Sequence, residues 1–159
     1  MICLIGGGEL NPAIFLKNGI MYYLKNKSKR KRPDPTAKLD RVFSEYIRLR
    51  DSDGSFFRCI SCGEIKPIGQ ADCGHYFSRR KMSVRWDKQN ANAECRACNR
   101  FRSDHLIGYR ENLIKKIGEK AFKALEIRST LTAKYSEFDI KVLIKYYNEL
   151  IDKLNHEKS

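Results

Sequence analysis

The sequence lacks any apolar run long enough to cross a bilayer. A membrane helix needs about 20 consecutive apolar residues, and the most apolar stretch, 14–24, is interrupted by Lys17 and Asn18. The start of the chain also lacks the basic residues of a signal peptide, because Lys17 is the first lysine and the segment 6–9 breaks any apolar segment. Neither a membrane-spanning nor a secreted protein is expected.

Acidic residues are scarce relative to basic ones. The 159 residues contain 19 Asp and Glu against 32 Lys and Arg, which gives a net charge of +13. A cationic surface concentrates polyanions and releases counterions from a duplex, so nucleic acid is the expected partner. A membrane surface is less favoured, because no basic amphipathic helix with aromatic anchors stands out. An apolar content of 42% is enough for a folded core.

Four of the six cysteines form two C-x-x-C pairs, Cys59 with Cys62 and Cys95 with Cys98. Two such pairs can bind one tetrahedral Zn²⁺, because each pair holds the metal from a tight turn. The alternative is a disulfide framework, which requires an oxidising compartment. The spacing therefore predicts a structural zinc site.

The chain divides into three predicted regions. Residues 1–35 are expected to form a disordered basic tail that contacts phosphates through Lys29, Arg30, Lys31 and Arg32; Met21 is an alternative start of the native protein. Residues 36–103 are expected to form a zinc-bound core with a leading helix, and residues 104–159 a helical region packed on it. The predicted fold class is α+β.

Short strands are expected over 56–60, 64–68 and 72–78, with 84–86 as the hairpin partner of the last. A loop through Asn90 and Asn92 then leads to Cys95 and a helix. Three apolar stripes at helical spacing predict three helices in the C-terminal region, the last beginning after Ser136.

Asp72 and His75 lie between the cysteine pairs, followed by Asn90 and, directly after Cys98, Asn99. This order resembles that of HNH-type nucleases, in which two strands and a helix surround one divalent cation. A histidine can deprotonate water near neutral pH, and oxygens of Asp72 and Asn99 suit Mg²⁺ or Mn²⁺. Asn90 is expected to accept a hydrogen bond from His75 Nδ1, which leaves Nε2 free. Guanidinium groups suited to phosphates are those of Arg79, Arg80 and Arg85.

Each of these residues also has a structural interpretation. A lone histidine is usually a surface or core residue, Asn90 can simply close a turn, and Asn99 can cap a backbone group. Cys73 is either a metal ligand or a small core residue. His105 and His156 are expected at the surface, and Trp86 in the core.

Residues 39–154 resemble the NinG/Rap family of lambdoid-phage recombination proteins. The resemblance rests on the segments 39–48, 74–79, 85–87 and 95–99, together with Cys59-x-x-Cys62 and Asn90. It implies a phage- or prophage-encoded protein in the cytoplasm of the bacterial host. It also implies an HNH-like fold and a structure-selective DNA endonuclease for Holliday junctions and D-loops. The resemblance further implies that His75 is the general base and that Asn90 positions it. It also implies that Asn99 binds the catalytic metal and that the paired cysteines bind zinc.

One departure from the HNH pattern concerns the acid that normally precedes the base. Gly74 occupies that position, and the nearest acid is Asp72. Because side chains alternate along a strand, Asp72 and His75 are expected to share a metal only across a kink or bulge, which Gly74 permits.

Two other functions remain open. One is a non-catalytic zinc protein that binds nucleic acid as an accessory, and the other is an HNH nuclease acting on linear DNA. Cleavage of a symmetric four-way junction favours two active sites and therefore a homodimer, although no residue pattern indicates one.

Overall fold

The computed structural model describes residues 34–158 and, before them, two short strands. These strands, Ile14–Lys17 (β1) and Ile20–Tyr23 (β2), pair antiparallel with Ile14 opposite Tyr23. They belong to a unit, 1–32, separate from the one described below. The predicted phosphate contacts of Lys29, Arg30, Lys31 and Arg32 lie outside the described residues.

The helix predicted from Thr36 is confirmed as α1, Pro35–Arg50. Asp34 caps it, accepting a hydrogen bond from the Thr36 backbone N–H at 2.9 Å. Pro35 suits the first turn, because N–H groups there have no partner within the helix and the N–H that proline lacks is not needed. Its buried face carries four apolar residues that recur at helical spacing, Leu39, Phe43, Tyr46 and Ile47.

Two antiparallel hairpins follow α1. The first pairs Phe56–Arg58 (β3) with Ile65–Pro67 (β4). The second pairs Ala71–His75 (β5) with Ala91–Cys95 (β6), with Ala71 opposite Cys95 and His75 opposite Ala91. A short helix, Arg96–Phe101 (α2), leaves β6 directly. The second hairpin and α2 therefore form a continuous strand–strand–helix unit.

The predicted pairing of 84–86 with β5 is wrong, because the partner is β6 and Met82–Val84 forms a 3₁₀ turn. All five residues of β6 are buried, so the strand lacks the alternation that identifies a half-exposed strand. Because Asn92 and Glu94 are polar, the sequence predicts a loop rather than a strand at this point. Both are instead buried and hydrogen-bonded.

The three predicted C-terminal helices are confirmed as α3 (His105–Ile117), α4 (Glu119–Thr130) and α5 (Glu137–Lys158). Helix α5 packs on α1 in a core that includes Trp86 and Ala91. A second core joins Val84 to α3 and α4. None of the helices in the described part of the chain is long and apolar enough to cross a membrane.

Candidate metal centres and nucleic-acid-binding cleft

The four paired cysteines converge on one point. Ligand atoms of Cys59, Cys62, Cys95 and Cys98 all lie within 4.8 Å of one another, and all four are free thiols. A tetrahedral zinc with Zn–S bonds of about 2.3 Å places its sulfurs about 3.8 Å apart. The cluster therefore can hold a metal such as zinc, as the spacing predicted, and the disulfide alternative is not the arrangement seen.

Local backbone geometry brings these thiols together. Cys59 follows β3, and the turn through Cys62 closes at Gly63, whose φ of 74° favours glycine. Cys95 ends β6 and donates its backbone N–H to Cys59 Sγ at 3.3 Å. A metal at this position joins the first hairpin to the strand–strand–helix unit.

A cleft of about 260 Å³ borders this unit. It brings together three of the four predicted catalytic residues, Asp72, His75 and Asn99. The Asn99 amide donates from Nδ2 to Asp72 Oδ2 at 3.0 Å. The remaining lining residues are Asp40, Phe43, Ser44, Cys73, Arg79 and Arg100.

His75 is largely buried at the end of β5. Its Nε2 lies 2.9 Å from the Arg85 carbonyl oxygen, and because a carbonyl only accepts, Nε2 carries the proton. Burial lowers the pKa of His75, although hydrogen bonds to the backbone carbonyls of Arg85 and Cys73 oppose that shift. The net shift favours the neutral ring near pH 7, and the proton lies on Nε2 rather than on the expected Nδ1.

Asn90 bonds elsewhere and does not meet the expectation of a hydrogen bond to His75. Its Nδ2 donates to the carbonyls of Phe77 at 2.9 Å and Val84 at 3.0 Å, and its Oδ1 accepts from the Phe77 N–H at 2.8 Å. It pairs with Tyr76, one residue beyond His75, so strand alternation turns its side chain to the other face. Asn90 thus closes the loop 77–84.

Asp72 is engaged by an arginine that the sequence reasoning missed. Arg100 donates from Nε to Asp72 Oδ2 at 2.6 Å and from an Nη to Oδ1 at 2.8 Å. This fork, aided by Asn99, holds the pKa of Asp72 below its usual value despite partial burial. The signal available in the sequence was the position of Arg100 directly after Asn99.

Asp40 is a second cleft residue that the sequence reasoning missed. Arg85, which was expected to contact phosphate, binds the Asp40 carboxylate instead. Its Nε donates to Oδ1 at 3.0 Å and one Nη donates to Oδ2 at 2.6 Å. Trp86 adds its indole N–H at 2.9 Å and is otherwise a core residue, as predicted. Burial raises the pKa of Asp40, but these donors outweigh it and the net shift is downward. Arg79 and Arg80 remain exposed, and Arg79 borders the cleft.

Cys73 lines the cleft and is not part of the cysteine cluster. It is partly buried against the α1–α5 core, and burial raises the pKa of its thiol to about 12. The thiol is therefore protonated near neutral pH and a poor metal ligand. This geometry favours the small-core-residue interpretation.

Gly74 leaves room for a neighbouring side chain and does not introduce a kink in β5. Strands β5 and β6 pair without a bulge from Ala71 to His75, so the expected distortion is absent. A Cβ at position 74 would lie 2.2 Å from Glu94 Oε2. The buried Glu94 carboxylate occupies that space, and its Oε1 accepts from Ser61 Oγ at 2.5 Å and pairs with His105 Nδ1 at 2.6 Å. His105, expected at the surface, thus packs against a buried acid.

These features define a mixed α+β protein in which a cysteine cluster that can hold a metal joins a two-stranded sheet to a short helix. The profile of the NinG family, described as Bacteriophage Lambda NinG protein, matches residues 21–157. The chain therefore belongs to the NinG family, which confirms the family membership expected from the sequence.

Curated relatives agree with this assignment. Protein ninG of Escherichia phage 933W is 38% identical over 82 residues, which are 51% of this chain and 39% of the relative. Protein ninG of Escherichia phage lambda is 37% identical over 82 residues, or 51% of this chain and 38% of the relative. That of Salmonella phage P22 is 38% identical over the same shares. The matched segment thus spans about two fifths of each relative. No solved structure matches the chain.

Proposed function

We propose that this chain is a metal-dependent DNA endonuclease with an HNH-like core, acting on branched recombination intermediates such as Holliday junctions and D-loops. The observation that carries the proposal is the cleft in which His75, Asp72 and Asn99 meet; Asn99 directly follows Cys98 of the cysteine cluster. A protein that only binds DNA has no need of an imidazole, a carboxylate and an amide around one cavity.

Asp72 and Asn99 are the residues suited to hold the catalytic cation. Their carboxylate and amide oxygens are hard ligands of the kind that Mg²⁺ and Mn²⁺ prefer, and such a cation supplies Lewis-acid stabilisation of charge on the phosphate. Arg100 neutralises Asp72 in the structure. Its side chain is 53% exposed, so it is free to turn from Asp72 to a phosphate when the cation binds.

His75 is the general base in this proposal. Its neutral ring, with the proton on Nε2 and the lone pair on Nδ1, accepts a proton from water. The resulting hydroxide attacks phosphorus, the P–O3′ bond breaks, and the 3′ oxygen leaves and takes up a proton. Loop 77–84, which Asn90 holds closed, carries Arg79 to the edge of the same cleft.

Selectivity for branched DNA is supported by the end of α2. Phe101 follows Arg100 and is 83% exposed, which is unusual for a large aromatic side chain. Bases exposed at a branch point stack on such rings, with about 1–3 kcal/mol for each base. Arg100 and Arg102 are the neighbours of Phe101 in the chain, so this end of α2 also carries cations suited to phosphates.

The test compares cleavage of a four-way junction, a D-loop and a linear duplex with Mg²⁺ or Mn²⁺. His75→Ala is expected to lower the cleavage rate by about 10²–10⁴, the usual contribution of a general base. His156→Ala, at an exposed position near the end of α5, is the matched control and is expected to cut normally. Cleavage that persists at the full rate in His75→Ala contradicts the mechanism.

The second candidate is a non-catalytic zinc protein that binds nucleic acid as an accessory. The specific observation in its favour is that Arg100 occupies both oxygens of Asp72, as expected of a structural ion pair. Junction binding with no metal-dependent cleavage by the wild type supports this candidate instead.

A further inference from the structure

A second and larger cavity, of about 620 Å³, shares no lining residue with the His75 cleft. It lies where the end of α1, the β3–β4 hairpin, β6 and α3 meet. Four basic residues and two acidic ones border it. The basic residues are Arg50, Arg58, Lys115 and Lys116, and the acidic ones are Asp51 and Asp53.

The charges at the wall of this cavity do not balance. The Asp51 carboxylate accepts from Arg50 at 2.8 and 2.7 Å and from Lys116 Nζ at 2.7 Å. Asn92, buried in β6, takes a further bond from Lys116 at 2.7 Å. Two cations therefore share one carboxylate, and the partly buried set carries one excess positive charge. Burial lowers the pKa of Lys116, while the Asp51 carboxylate opposes that shift.

Hydrogen-bond donors also exceed acceptors around the cavity. Lys116 uses two of its three N–H groups, and Arg58 uses one bond, to the Gly63 carbonyl at 2.7 Å. Lys115 forms no hydrogen bond or ion pair with the described residues. Asp53 is already occupied by backbone N–H groups at 2.7 and 2.8 Å. The cavity thus offers several unused donors and an uncompensated positive charge.

We propose that this cavity binds a nucleotide unit of a DNA strand, with its phosphate held by Lys115, Lys116 and Arg58. The inference rests on the proposed function, because it gives the DNA a second anchor apart from the cleavage cleft. The volume falls within the ~300–1,000 Å³ of small-molecule sites and exceeds what one phosphate needs. Ile60 and Ala93 add an apolar part of the wall that suits a sugar or base.

The test measures the salt dependence of junction binding by fluorescence anisotropy, using the full-length chain with His75→Ala to prevent cleavage. Each lost phosphate contact lowers the slope of log K against log[salt] by about 0.9. Lys115→Ala in this background is expected to lower the slope by about that amount. Lys120→Ala removes the same charge from an exposed position on α4 and is expected to leave the slope unchanged.

The outcomes separate this inference from the function on which it rests. An unchanged slope in Lys115→Ala, with cleavage still dependent on His75 in the otherwise native chain, overturns the inference alone. A wild-type chain that binds no DNA overturns both. Calorimetry with dAMP distinguishes the source of the phosphate: dAMP binding that requires Lys115, without any change in the DNA slope, assigns the cavity to free nucleotides and overturns the DNA assignment.

Discussion

Gly74→Ala is expected to be among the most destabilising small substitutions in this chain. The added Cβ would lie 2.2 Å from Glu94 Oε2 and 2.8 Å from Glu94 Cβ. Glu94 cannot retreat without breaking its bonds to Ser61 and His105. Overpacking of this kind costs about 1–3 kcal/mol, and disturbing one hydrogen bond to a charged group adds about 1.5–3 kcal/mol.

The expected total loss of about 2.5–6 kcal/mol is a large part of the ~5–15 kcal/mol that stabilises a typical domain. Urea denaturation followed by circular dichroism measures it as a lower midpoint with an unchanged slope. Gly69→Ala is the control, because a Cβ there meets nothing within 4 Å. The double variant Gly74→Ala/Glu94→Ala completes a thermodynamic cycle and is expected to show strong coupling. A Gly74→Ala variant within about 0.5 kcal/mol of wild type refutes the reasoning, since that is the range of neutral surface changes.

Two further predictions concern the metal and the base. Cys98→Ser is expected to lose bound zinc, measured by atomic absorption, and to lower stability by about 4 kcal/mol or more, the effect of losing a ligand present at a thousand times its Kd. Cys73→Ser, outside the cluster, is the control and is expected to keep its zinc. The acid limb of the cleavage rate is expected below pH 6.5, because burial lowers the pKa of His75 from that value and only the neutral ring accepts a proton. A limb at or above pH 6.5 contradicts the assignment of His75 as the base.

The sequence predicted the parts of this fold that depend on local pattern. Helices α1, α3, α4 and α5 follow from apolar stripes at helical spacing, and the cysteine cluster follows from two C-x-x-C pairs. Both patterns can be recognised in a single sequence, because an apolar stripe or a C-x-x-C pair is contained within a short segment. The family resemblance likewise rests on local motifs and is confirmed by the profile match.

The parts that the sequence did not predict depend on partners distant in the chain. Strand β6 is covered on both faces, so its pattern carries no period, and its Asn92 bonds a tyrosine 17 residues away. The fork from Arg85 to Asp40 spans 45 residues, and no local rule assigns one to the other. Arg85 was predicted to contact phosphate because its type suits that role, but its actual partner is set by how α1 packs.

The cysteine cluster is the feature that links the two candidate DNA contacts. Cys59 borders the larger cavity, whereas Asn99, next to Cys98, borders the His75 cleft. A metal that holds Cys59 and Cys98 together therefore fixes one wall of each site. If both sites contact DNA, loss of zinc weakens binding more than loss of either site alone. Catalysis and anchoring then depend on the same four thiolates.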